Sequence, residues 1–227
     1  MYTISHPYKT ASEINIAMAR VYQNMSLAVL TSMIVSYLVG TSPELLQFFF
    51  TGWTKWIVIF APLAAVFAVS FALNARPDRN IALLLLHGFA ALMGLSFATI
   101  FAVFQMGSIV SAFMGAAILF GVMSFYGYFT KNNLDSVGKF MFVGLIAIII
   151  ASVVNIFIGS SLFAMVISAL AIIIFLGLTA YDTQQIRQIV TQNSSDHVEE
   201  VQGALTLYLN FINIFLSLLQ LFGDRKE

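Results

Sequence analysis

Long apolar runs, each closed by charged or turn-forming residues, set the organisation of this chain. Uncharged stretches of one-helix length lie between Arg20 and Glu44, between Lys55 and Arg76, and between Glu200 and Asp224. Stretches about twice as long lie between Arg79 and Lys131 and between Lys139 and Asp182. At ~20 residues per crossing, the pattern predicts seven membrane helices. Each long stretch needs an internal break, and the Gly and Ser clusters at Gln105-Met106-Gly107-Ser108 and Gly159-Ser160-Ser161 supply one. The predicted spans are 23–40, 55–73, 81–104, 109–129, 140–158, 162–182 and 203–222. The expected fold is an all-α polytopic bundle: a tail over 1–22, a transmembrane domain over 23–223 and a short end over 224–227. The segment after the sixth span is expected to prolong it as a helix and to turn at Asn193-Ser194-Ser195.

The last run, Gly203–Gly223, carries a second pattern inside the first. Thr206, Asn210, Asn213, Ser217 and Gln220 are spaced 4, 3, 4 and 3 residues apart. At 100° per residue they share one face about 80° wide. Unpaired amides and hydroxyls in hydrocarbon cost several kcal/mol, so this stripe faces other helices or water. It reads either as interhelical glue or as the wall of a polar path. Small residues at helical spacing, Ala90 and Gly94, Ser111 and Gly115, Ala117 and Gly121, predict close helix packing. Trp53 and Trp56 stand where an interfacial anchor for the second span belongs.

Composition agrees with a membrane solvent. Hydrophobic residues make up 60% of the chain and charged residues 9%, and the mean hydropathy is +0.93. A soluble chain of this length needs more polar surface to cover its core. Ten basic residues balance ten acidic ones, so nothing points to nucleic acid. The absence of cysteine excludes disulfides, thiol catalysis and thiolate metal sites together. No apolar core of a signal peptide precedes the first span, which is expected to act as its own insertion signal. With the N-terminus inside, Lys9, Arg20, Arg76, Arg79, Lys131, Lys139 and Arg187 are cytoplasmic, and Lys55, Arg225 and Lys226 lie outside. Seven against three predicts a cytoplasmic N-terminus and a periplasmic C-terminus.

Ionisable groups within or beside the spans are few, which singles them out. Asp182 closes the sixth span and lies at a depth similar to Asn210, so the two are expected to hydrogen-bond. Arg76 closes the second span and is the nearest cation for Asp182 if those spans touch. His87, about one turn into the third span, reads first as a hydrogen-bonded packing residue and second as a proton relay. Asn155 and Ser152 are expected to bond across helices. Enzyme chemistry finds no support: Tyr181-Asp182 has no partner Gly-x-Gly-Asp, and one carboxylate cannot be both general acid and general base. There is no rhomboid-type Gly-x-Ser-Gly, no intramembrane lysine, and no spacing suited to a metal.

The ending AYDTQQI of the sixth span, followed by GALTLYLNFINIFLSLLQLFG, resembles the paired signature of the transmembrane Bax inhibitor motif (Bax inhibitor-1) family. ARVYQNMSLAVLTSMIVSYLVG, GFAALMGLSFATIF and SFYGYFTKNNLDSVGKFMFVGLIAIIIASVVN are similar to the same family, in the same order. The short loops and short C-terminus look like its bacterial inner-membrane members. The resemblance implies a seven-helix bundle with the seventh helix in the centre. It also implies a pH-sensitive calcium leak, with no bound cofactor and calcium as the permeant ion, held transiently at Asp182. In the family the sensor is a pair of aspartates. Asp182 matches the first, but Asn210 stands where the second is normally Asp. Two touching carboxylates cannot both stay ionised, which makes a proton switch. An amide donates to a carboxylate without sharing a proton.

Two functions follow as expectations. The first is a cation leak with Asp182 and Asn210 at the gate and Thr206, Asn213, Ser217 and Gln220 along the path, with Arg76 and His87 as charge partners. The second is a non-conducting interaction protein that modulates a membrane quality-control protease or a stress response.

Overall fold

The computed structural model describes residues 10–192 and 197–226, and among them the regular structure is helical. The helices are α1 (Ala11–Gly40), α2 (Pro43–Phe50), α3 (Thr54–Asn74), α4 (Arg79–Phe97), α5 (Thr99–Val103), α6 (Met106–Phe129), α7 (Asp135–Ile158), α8 (Ser161–Gln192) and α9 (His197–Phe222). Seven segments are long and apolar enough to cross a membrane, α4 and α5 together forming one of them. The seven predicted spans are all present.

The ends differ in instructive ways. The first helix starts at Ala11, not near residue 23, because Thr10 and Glu13 form a reciprocal capping box in which each side chain bonds the other's backbone N–H. Within the expected tail, residues 11–22 are thus helix. α8, by contrast, continues past Asp182 as expected, ten residues further, because nothing between Thr183 and Gln192 interrupts a helix. The turn expected at Asn193-Ser194-Ser195 lies outside the described residues. The break expected over 105–108 is shorter: Gln105 is extended and caps α6, which already begins at Met106. The other break is as expected, with Gly159 left-handed at φ 68° after α7. α2, between the first two spans, was not expected at all.

The chain divides into two units, Met1–Val103 with Ile186–Tyr208 and Phe104–Gln185 with Leu209–Glu227. In the first, α1 packs on α4 across Gly94, where any Cβ would collide with the backbone of Ser32. His87 and Thr31 bond at 3.0 Å across the same pair, and Ser96 Oγ donates to the Val58 carbonyl at 2.6 Å to tie α4 to α3. In the second, Gly127 of α6 meets the backbone of Ala180 in α8 in the same way, and Gly138 of α7 lies against the Tyr181 ring. Phe211 and Phe215 of α9 pack edge-on against Phe113 of α6. Only one of the three predicted small-residue pairs therefore makes a backbone-close crossing. Gly115 has an ordinary contact with Leu218, and Gly121 meets nothing within 4 Å.

Burial sorts the helices. Only 6% of the apolar window of α7 is covered, as a lipid-facing helix requires, against 50% for α9.

Candidate functional site

In the second unit, four consecutive side chains of α8, from Asp182 to Gln185, each hold a different partner. Asp182 Oδ2 accepts from Asn210 Nδ2 of α9 at 2.7 Å. Thr183 and Ser124 of α6 join their hydroxyls at 3.0 Å, both buried. Gln184 accepts from Leu134 N and donates to the Asn132 carbonyl, each at 2.9 Å, so it clamps the turn that leads into α7. Gln185 donates to Asp135 Oδ1 at 2.8 Å, in the first turn of α7. The polar run Asp-Thr-Gln-Gln is thus a hub that pins α8 to α6, α7 and α9. The expected Asp182–Asn210 bond is present. Thr183, Gln184 and Gln185 were not singled out from the sequence, although four polar residues ending an apolar helix were the available signal.

Asn210 is 5% exposed and lies on the polar stripe. The rest of the stripe behaves unlike glue. Thr206 Oγ1 donates to the Gln202 carbonyl at 3.1 Å and Asn213 Nδ2 to the Leu209 carbonyl at 2.7 Å, both within α9 itself. Thr206, Asn213 and Ser217 are half-buried and Gln220 is exposed, whereas Leu207, Tyr208, Phe211, Ile214 and Leu219 on the rest of the helix are buried. α9 packs by its apolar surface and, Asn210 apart, leaves its polar stripe partly accessible. Because α9 starts at His197, the stripe also extends back to Gln202 and Glu199, which keep its 4- and 3-residue spacing.

That extension lines a cleft of about 310 Å³ in the first unit, whose wall includes Ser70, Asn74, Glu199, Gln202 and Thr206. Gln202 donates to Asn74 Oδ1 at 3.2 Å across it. Glu199 is held at 3.6 Å by Arg76, whose own side chain is 67% exposed. Arg76, the nearest cation for Asp182 if the second and sixth spans touched, is a partner of Glu199. It sits at φ 51° just after α3, a left-handed position that suits glycine, and it does so directly before Pro77. Next to this pair, the buried Glu200 carboxylate takes Arg20 at 3.2 Å and His197 at 3.6 Å.

His87 takes the packing role, bonded to Thr31. Ser152 and Asn155 do not bond across helices as expected. Ser152 donates to the Ile148 carbonyl of its own helix, and Asn155 Oδ1 accepts from Ser160 N to close the α7–α8 turn. Both satisfy backbone or hydroxyl groups locally, an option open to short polar side chains.

The family model described as "Inhibitor of apoptosis-promoting Bax1" matches residues 14–227. Among curated proteins, the chain is 38% identical over 215 residues to "Inner membrane protein YbhL" of Escherichia coli (strain K12), covering 92% of each. It is 37% identical over 216 residues to an uncharacterized protein of Rickettsia prowazekii, covering 92% of this chain and 90% of the relative. An uncharacterized protein of Deinococcus radiodurans is 34% identical over 220 residues, covering 96% and 94%.

Proposed function

Because the chain belongs to the Bax inhibitor family of integral membrane proteins, we propose that it is a cation leak of the bacterial inner membrane, with calcium as the permeant ion. The observation that supports this reading is the stripe on α9. Thr206, Asn213, Ser217 and Gln220 keep part of their surface accessible, and the bonds described for Thr206 and Asn213 stay within their own helix, while the apolar surface does the packing. Polar groups so placed in a bilayer need water. Oxygen ligands of this kind, without a fixed cage, suit a hard cation in transit. In the second unit, the Asp182–Asn210 bond is the gate.

Ser217→Leu and Asn213→Leu test it. In liposomes containing the pure protein, each is expected to reduce calcium flux severalfold while insertion and melting temperature stay near wild type, since neither side chain bonds another helix in the bonds described. If both lower the melting temperature and flux is unchanged or absent, the stripe is glue. That result would favour the second reading, an interaction protein acting on a membrane protease. One feature already leans that way: the amide at Asn210 removes the proton-sharing carboxylate pair.

The proposed orientation places the N-terminus and the Glu199 cleft on the cytoplasmic side, on the seven-to-three basic count. A reporter fused at the C-terminus should read as periplasmic; a cytoplasmic reading would overturn the orientation.

A further inference from the structure

The corner between α1 and α3 carries an apolar surface that the seven crossings do not use. α2 is eight residues long, about 12 Å at 1.5 Å per residue, far short of a bilayer. On its wheel Leu45, Leu46, Phe48, Phe49 and Phe50 occupy an arc of about 200°, and Glu44 and Gln47 lie together outside that arc. Leu46, Phe49 and Phe50 are half-buried, as expected where α2 meets α1 and α3, whereas Leu45 and Phe48 are exposed, Phe48 at 66%. Just beyond, Trp53 is 73% and Trp56 55% exposed. So the helix has a packed flank, a bare apolar flank and a polar flank.

We propose that α2 lies in the plane of the membrane interface, with Leu45, Phe48 and the two tryptophans seated in phospholipid at the junction of acyl chains and headgroups. Three observations identify lipid as the occupant. Exposed apolar side chains follow one another along the chain from Phe48 through Trp53 and Trp56 into α3, where Ile57 and Phe60 are 51% and 56% exposed. The backbone at the corner is prepared for a dry setting: the single proton of Thr54 Oγ1 is shared between the carbonyls of Phe48 at 3.0 Å and Thr51 at 2.7 Å, which lessens their need for water. Lys55 Nζ stands 5.3 Å from the Trp56 ring centroid, placing an ammonium beside an interfacial aromatic, where phosphate lies. A protein partner at this corner would leave that lysine and the flanking Glu44 and Gln47 unexplained.

The two tryptophans are the only ones in the chain, so their fluorescence reports on this corner alone. The full chain is reconstituted into phosphatidylcholine vesicles whose lipids carry bromine high or low on the acyl chain, with iodide as the aqueous quencher. Bromine high on the chain is expected to quench about twofold more than bromine low on it, and iodide is expected to quench little, as interfacial depth requires. Phe48→Gln, at an exposed site, should raise iodide quenching without loss of the folded protein. Free quenching by iodide with none from either bromolipid would place the corner in water and overturn the proposal. Protection from all three quenchers would mean that protein covers it, and would overturn it too.

Discussion

Asn210→Asp is expected to introduce a steep pH response at the contact with Asp182, of the kind two touching carboxylates give. The wild-type contact is an amide nitrogen donating to Asp182 Oδ2 at 2.7 Å. One ionisable group takes part, and the bond holds with that group charged. In the variant two carboxylates occupy the same contact. Losing the second proton then sets like charges at about 4 Å, which costs on the order of 4 kcal/mol at an effective dielectric near 20. One proton is therefore retained to higher pH and shared between the oxygens, and its loss breaks the contact instead of leaving it intact. The sign follows: the variant contact is stable below the raised midpoint and opens above it. Calcium flux, or a probe on α9, measured against pH in both proteins gives the comparison. Coincident curves would show that the pair is not the sensor.

Gly127→Val should unfold the second unit or cost it about 2–4 kcal/mol. A Cβ at Gly127 meets the carbonyl oxygen, carbon and Cα of Ala180, and backbone in a helix cannot step aside as a side chain can. α6 and α8 would have to part. The Ser124–Thr183 bond sits close by on the same crossing, and Asp182 lies two residues beyond Ala180, so both would be lost with it. In a bilayer, where lipid solvates apolar surface as well as protein does, close van der Waals packing is a principal force holding helices together. Gly121→Val is the control, because nothing lies within 4 Å of it. Equal melting temperatures for the two variants would mean that the α6–α8 crossing is looser than described.

The contrast between those glycines shows where the sequence stops being informative. Ala90 with Gly94 and Ala117 with Gly121 have the same spacing and the same small side chains. One faces a neighbouring backbone and the other lies open, and only tertiary structure decides which. The seven crossings were legible because each is a long uncharged run, a property of local sequence. The stripe from Thr206 to Gln220 was legible for the same reason. Its continuation to Gln202 and Glu199 was obscured because charge at Glu199 and Glu200 ended the apolar run before the helix ended. The start of α1 was missed although Thr10 and Glu13 have capping-box spacing, since hydropathy outweighed the cap. Thr183, Gln184 and Gln185 hold groups some 50 to 60 positions distant, and no local pattern announces such partners.

The helices of the first unit have a bearing on membrane thickness. α1, the end of α8 and the start of α9 all continue as unbroken helix beyond their apolar stretches, on the side where Arg20, Glu199 and Glu200 lie. The boundary with water is therefore set by side-chain polarity and not by where the helices stop. When the surrounding bilayer thins or thickens by a few ångströms, that boundary can slide along helix whose backbone bonds are already made. The strain is confined to a few side chains, at fractions of a kcal/mol per ångström. Such a scaffold tolerates patches of membrane that differ in lipid length without unwinding any of its crossings.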